Sequence, residues 1–426
     1  MLLWTVDLLM VGRLGVVELN AVSLGRLWLM GTALLGMGVL FGVDPLAAQA
    51  YGARNEVGFC RVRTTALRLA VWVSLPVAAL WLATGPVLRL FGQPLEVVEL
   101  ARLYVWIQLP GLPCLLAFVA LRQVIQATGN TTPALLAALF ANGFNFIANW
   151  ILIFGKLGCP ALGVVGAGLA SLGTEVVLLI LLVLLSRKGP GSRLALRKDG
   201  CPGARADWVA VVRLGLPISL QMTLEYWAFA WSTLVAGRMG GLELAAHTIA
   251  MNLASLSYMV PLGISQAAAI RVGNRIGANE PAGARESALS ALVLGAGVMA
   301  SFSVAFIVFR WKIPELYGVP PEVIGQAAAI LPIVAAFELF DGLQVVGAGA
   351  LRGMGRTRPA AWANLLGYYA LALPAAGLLA GPGGLGLRGL WWGLALGLFA
   401  VAVAVTLYLL RCTERDFAPL KTTSHL

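Results

Sequence analysis

Apolar residues fill this chain in long runs, broken by short clusters of Gly, Pro, Asn and charged residues. At 1.5 Å of rise per residue, about 20 apolar residues cross the ~30 Å hydrocarbon layer of a bilayer. Eleven runs qualify: 21–47, 69–90, 103–125, 134–152, 164–185, 209–235, 244–270, 288–309, 324–351, 361–379 and 390–410. The pattern predicts an all-α integral membrane protein. Residues 1–11 form a twelfth, shorter run that reaches only about 16 Å. It has neither the basic start nor the small-residue cleavage site of a signal peptide. It is expected to be the remainder of a truncated first span whose natural start lies upstream, giving twelve spans in all.

Composition agrees with the pattern and removes other classes. Of 426 residues 59% are apolar and only 12% charged, about half the charged share of a soluble domain. Extramembrane domains are therefore not expected. The net charge of +11 is spread singly over short connections and forms no basic face for nucleic acid. Alternating the connections between two sides places twenty-one Lys and Arg on one side and nine on the other. The positive-inside bias then puts both termini in the cytoplasm of a multi-pass inner or plasma membrane protein.

Catalytic chemistry finds little material. The five cysteines are dispersed with no CxxC spacing, and there are only two histidines, so a metal centre, a disulfide framework and an integral-membrane enzyme are all disfavoured. Gly384-Leu385-Gly386-Leu387-Arg388-Gly389 matches GxGxxG, but it lies between two spans with no strand before it. No GxxxxGK[ST] run supplies an ATPase motor. No cofactor is expected, and transport would draw on an ion gradient or run passively.

The chain also repeats itself. Val11-Gly12-Arg13-Leu14-Gly15-Val16-Val17-Glu18-Leu19 returns as Ala236-Gly237-Arg238-Met239-Gly240-Gly241-Leu242-Glu243-Leu244. Gly52-Ala53 pairs with Gly277-Ala278, Gly129 and Pro133 with Gly355 and Pro359, and Gly163 and Gly166 with Gly386 and Gly389. The spacing stays near 225 residues. The repeat predicts two six-helix bundles as parallel repeats related by an axis along the membrane normal, enclosing a cleft exposed alternately to each side. The expected divisions are an N-terminal lobe at 1–187, a cytoplasmic linker at 188–208, a C-terminal lobe at 209–411 and a cytoplasmic tail at 412–426.

Acids within spans are costly, at least about 2.5 kcal/mol each at mid-bilayer, and usually serve an ion, a proton or a cationic ligand. Glu225 lies 17 residues into the seventh span, about 25 Å along the helix. It follows Pro217 and stands among Tyr226, Trp227, Phe229 and Trp231, rings suited to a flat organic cation. Glu338, Asp341 and Gln344 share one face of the tenth helix. Two neighbouring carboxylates there repel when both are ionised, which prepares a proton site. Asp7, Glu175 and His247 also fall in or near spans. Glu175 and His247 are read as structural, His247 as a hydrogen-bonded packing residue.

These residues resemble the multidrug and toxic compound extrusion (MATE) family over essentially the whole chain. The likeness rests on Val6-Asp7, Val11-Gly12-Arg13-Leu14-Gly15, Ala48-Gln49-Ala50-Tyr51-Gly52-Ala53, Gly215-Leu216-Pro217 and Leu224-Glu225. It continues through Glu243-Leu244-Ala245-Ala246-His247, Met259-Val260-Pro261-Leu262-Gly263, Arg271-Val272-Gly273-Asn274 and Leu351-Arg352-Gly353. The resemblance implies a monomeric secondary antiporter that exports small organic cations in exchange for H⁺ or Na⁺ by alternating access. Glu225, Asp341 and Asp7 match the family's acids, and Na⁺ would sit at Glu225 and Asp341. Asn145 and Asn149 occupy positions where one branch carries Asn and Asp, so coupling is expected in the second half, with Asp7 secondary. Glu338, Gln344, Tyr226, Trp227, Asn145 and Asn149 are expected to line the substrate cleft. A lipid-linked oligosaccharide flippase of the same superfamily is the alternative, although it would favour a cationic cavity.

Overall fold

A computed structural model describes residues 10–187, 205–381 and 383–420. Among them ten helical stretches are long and apolar enough to span a membrane, beginning with Val16–Gly52 and ending with Gly386–Arg411. An eleventh long helix, Arg205–Met239, is less apolar because Gln221, Glu225 and several indoles interrupt its hydrophobic run. All eleven expected runs from 21–47 onward are therefore helical. Asp7, most of the 1–11 run and residues 188–204 of the expected linker lie outside the described residues.

The helices are α1 (Val16–Leu40), α2 (Val43–Gly52), α3 (Glu56–Leu82), α4 (Thr84–Leu90), α5 (Leu95–Ile107), α6 (Leu112–Ala127), α7 (Thr132–Phe154) and α8 (Val164–Leu185). They continue as α9 (Arg205–Met239), α10 (Gly241–Gly277), α11 (Pro281–Val308), α12 (Lys312–Glu315), α13 (Pro321–Gly353), α14 (Thr357–Asn364), α15 (Leu373–Ala380) and α16 (Gly386–Arg411). A π-helical segment, Leu365–Ala372, joins α14 to α15. Outward-facing side chains such as Trp72, Leu75, Leu135, Leu139 and Leu294 are large, apolar and exposed, as a lipid-facing surface requires.

The chain divides into two compact units. One holds the described residues up to Val43 with Asn55–Ser219, and the other holds Asp44–Arg54 with the described residues from Leu220 onward. Helix α9 runs unbroken past Pro217 and changes unit two residues later. Within the first unit Gly38, Gly42 and Gly215 mark close helix contacts, because a Cβ on any of them would overlap the facing backbone of Ser219, Val211 or Val39. Small residues allow that approach where lipid supplies no hydrophobic drive between helices.

Backbone conformation preserves the repeat. Most described residues with positive φ come in pairs, Arg54 with Asn279, Gly92 with Gly318, Gly129 with Gly355, Gly158 with Gly384 and Gly163 with Gly386, whereas Gly155 and Leu157 have no twin. Gly15 and Gly240 precede α1 and α10, and in both copies the glutamate three residues on, Glu18 or Glu243, folds back over the glycine. The two halves thus share turn geometry as well as sequence.

In the second unit the residues after α16 are tied down by polar contacts. Thr413 and Asp416 form a reciprocal capping box, and Arg356 Nη2 donates to Asp416 Oδ1 at 2.8 Å. The Thr413 N–H and hydroxyl, joined by Arg356, hold the Asp416 carboxyl below its ordinary value. Ionised Asp416 therefore adds stability above the unfolded value near 3.9, and that stability is lost as pH falls through the lower, folded value. Being a surface pair, it is worth only ~0.2–1 kcal/mol. Asp416→Asn should lower the melting temperature slightly at pH 7, the difference from wild type closing as pH drops below the carboxylate range. A difference that persists in acid would refute this assignment.

Candidate functional site

The second unit gathers the buried acids Glu338 and Asp341 and the half-buried Glu225 on two neighbouring helices. Long helices α9 and α13 bring Glu225 and the Glu338, Asp341, Gln344 face together, and α14 ends at Asn364 beside them. Asn364 Nδ2 donates to Glu225 Oε2 at 3.2 Å, and Gln344 Nε2 donates to the same oxygen at 3.4 Å. Gln344 Nε2 also donates to Asn364 Oδ1 at 3.2 Å, closing a triangle. Ser257 Oγ of α10 donates a short bond to Glu338 Oε2.

Burial decides whether these acids lie near water at a helix end. Glu338 and Gln344 are 0% exposed and Asp341 5%, so the tenth-helix face sits inside the unit. Asp341 lies within electrostatic reach of both Glu225 and Glu338. Glu338 Oε1, Asp341 Oδ1 and Gln344 Oε1 have no hydrogen-bond partner, nor does the Tyr368 hydroxyl. Buried polar atoms are normally paired, and a carboxylate or amide oxygen only accepts. The cluster therefore holds more acceptors than donors, which is the arrangement a proton or a cation completes. No three His, Cys, Asp or Glu side chains among the described residues gather closely enough to hold a metal ion. A bound alkali ion would rest on one or two carboxylates and neutral amide oxygens.

The rings named around Glu225 point in different directions. Tyr226 and Trp227 follow Glu225 directly, so helical geometry turns them about 100° and 200° away from its face, and they meet each other edge-on. Phe229, four residues on, shares the Glu225 face and packs edge-on against Phe337 and Tyr368 at 5.9 Å. His247 behaves as a packing residue: it is 0% exposed, its Nε2 lies 3.2 Å from Thr233 Oγ1, and its ring rests on Trp391. Asn364, Ser257 and Tyr368 carry no charge and were not anticipated. The available signal for Asn364 is an amide at the mouth of a π-helical segment, a feature often found at functional sites.

The asparagines of the first unit form their own chain. Asn149 Nδ2 donates to Asn145 Oδ1 at 3.0 Å, Asn145 Nδ2 to Thr174 Oγ1 at 3.2 Å, and Thr174 Oγ1 to the Ala170 carbonyl at 2.7 Å. Asn145 also borders a cavity of about 200 Å³.

Sequence comparison settles the lineage of this architecture. The MatE family profile matches residues 1–151 and 217–377. The chain belongs to the MATE family. It is 36% identical to a probable multidrug resistance protein NorM of Bradyrhizobium diazoefficiens, over 93% of this chain and 86% of that protein. It is 32% identical to the multidrug resistance protein NorM of Burkholderia vietnamiensis, over 93% and 87%. The fold is similar to a crystal structure of a eukaryotic MATE transporter, with a TM-score of 0.88 and 24% identity over 99% of this chain and 94% of the other. It is also similar to an outward-facing MATE family transporter, with a TM-score of 0.84 and 23% identity over 96% and 90%. MATE family members are membrane transporters.

Proposed function

We propose that this MATE protein exports organic cations from the cytoplasm in exchange for H⁺ or Na⁺, with Glu225 and Asp341 as the coupling acids. The reading rests on the excess of buried acceptor oxygens around Glu225, Glu338, Asp341, Gln344 and Asn364. The NorM relatives are named for multidrug resistance, and this chain belongs to their family and aligns over 86% and 87% of their lengths. In this reading the protein lies in the cell membrane with both termini cytoplasmic, and Asp7 is a secondary coupling candidate.

The cycle follows from charge. An organic cation satisfies the open oxygens; an incoming H⁺ or Na⁺ competes for the same carboxylates and releases it. Moving one charge through 100 mV supplies about 2.3 kcal/mol, and one pH unit about 1.4. The total of about 3.7 supports a concentration ratio of several hundredfold. Efflux of a fluorescent cation from proteoliposomes should accelerate under an imposed inward gradient of H⁺ or of Na⁺, applied separately. If neither gradient changes the rate, the antiport reading fails.

A further inference from the structure

The chain beyond α16 folds back across the second unit and reaches α2. Phe417 is 2% exposed and belongs to the same apolar cluster as Leu351, Met354, Ala360 and Leu409. Arg285 Nε donates to the Cys412 carbonyl at 3.3 Å. Further on, the Leu420 N–H donates to Gln49 Oε1 at 2.9 Å, and Gln49 Nε2 donates in turn to the Gly353 carbonyl at 3.2 Å. The Leu420 side chain covers Gly355, where a Cβ would stand 2.7 Å from it. Gly129, the first-half twin of Gly355, has the same left-handed backbone with open space around it.

Helix α2 is enclosed by protein. Every residue from Val43 to Ala50 is buried, Asp44 and Gln49 among them. Yet α2 prolongs α1 to a combined 37 residues, about 55 Å against ~30 Å of hydrocarbon. Only Phe41 and Gly42 part the two helices, and α1 belongs to the first unit while α2 belongs to the second. Duplicated transporters commonly work by rocking one bundle against the other. A helix seated in one unit, on a chain held by the other, must then bend or let go. Gln49 bears on that choice: it is 0% exposed, and a buried acceptor that loses its donor is costly. The Leu420 N–H therefore stabilises the seated form of α2, and its departure weakens that form.

We infer that residues 413–420 form a latch. Docked, they keep α2 in its seat and hold the transporter in the conformation described; undocked, they free α2 to leave, and the cycle advances. The contrast between Gly355, covered by Leu420, and the bare Gly129 gives this latch to the second half of the repeat. The consequence for turnover rests on the antiport reading, whereas the seating of α2 does not.

Hydrogen–deuterium exchange of the purified full chain tests the latch. Leu420→Pro removes the donated N–H and the covering side chain, and a chain ending at Cys412 removes the whole segment. Both are expected to exchange the amides of residues 44–52 at least tenfold faster than wild type, while those of 327–334 in α13 and 394–402 in α16 keep their rates. Should the shortened chain not fold, Leu420→Pro decides alone. Wild-type rates at 44–52 in Leu420→Pro overturn the inference. So does an equal loss of protection in α13 and α16, which would make the segment an ordinary part of the fold. In proteoliposomes, gradient-driven efflux of a fluorescent cation by Leu420→Pro should be at least threefold faster than by wild type, and an unchanged or slower rate overturns the latch as a control on the cycle. If wild type itself shows no gradient-driven efflux, the antiport reading falls and the exchange rates still judge the latch.

Discussion

Glu225→Gln is expected to abolish uphill efflux of organic cations while leaving the yield of folded protein unchanged. The amide keeps the shape of the side chain, and its oxygen still accepts from Asn364 Nδ2 and Gln344 Nε2, which stand 3.2 and 3.4 Å from the carboxylate. What disappears is the charge. A hydrogen bond to a charged group is worth about 1.5–3 kcal/mol, so affinity for the transported cation should fall roughly 10- to 100-fold from this contact alone. Coupling should fall further, because an amide cannot take up and give back a proton. Stability is expected to hold, since a charge inside the unit without an ion-pair partner is costly and its neutral isostere keeps the same two hydrogen bonds. Initial efflux rates in proteoliposomes, normalised to reconstituted protein, provide the measurement. A wild-type rate would remove Glu225 from the mechanism.

The second large effect is structural. Gly52→Leu should prevent the second unit from assembling, at a cost near or above the top of the ~1–3 kcal/mol typical of overpacking. Helix α2 crosses the end of α10 with only glycine at the crossing: a Cβ on Gly52 would overlap the Asn274 carbonyl, and one on Gly277 would overlap the Gln49 carbonyl. A Cβ on Gly273 would lie 2.7 Å from that of Ala48. The helices cannot simply part. Gln49 Nε2 donates to the Gly353 carbonyl at 3.2 Å, its Oε1 accepts from the Leu420 N–H at 2.9 Å, and Asp44 lies 3.8 Å from Arg352. Fluorescence-detected size exclusion of a tagged variant should show aggregated material or none. A monodisperse peak with wild-type melting would sink the argument.

Hydropathy made the helices legible but misplaced several of their ends. The run beginning at 69 belongs to a helix that starts at Glu56, because Arg61, Arg63 and Arg68 read as a connection. The structure extends α3 through them, pairs Arg61 with Asp207 at 3.1 Å and buries Arg63. The same run was carried on to 90, where the chain instead turns at Ala83 into the separate helix α4. The run beginning at 103 is two helices, α5 and α6, parted at Leu109–Gly111. Pro110 and Pro113 explain the break, since proline removes a donor and crowds the preceding turn.

Site residues divided along chemical lines. Glu225, Glu338, Asp341 and Gln344 stood out because ionisable or amide groups are conspicuous in apolar sequence. Ser257 and Tyr368 did not, because such residues are common in membrane helices. Nor does proximity in sequence order the rings, since helical spacing puts Phe229 on the Glu225 face and turns its nearer neighbours Tyr226 and Trp227 away from it.

The paired left-handed turns carry a consequence for how this protein tolerates change. Because each half bends its backbone at matching points, intolerance should come in doublets: a position in one half that refuses a side chain forecasts its twin some 223 to 226 residues away. Ancestry by copying has left the architecture with a built-in ruler, and a departure from that spacing marks where the halves have since taken up different work.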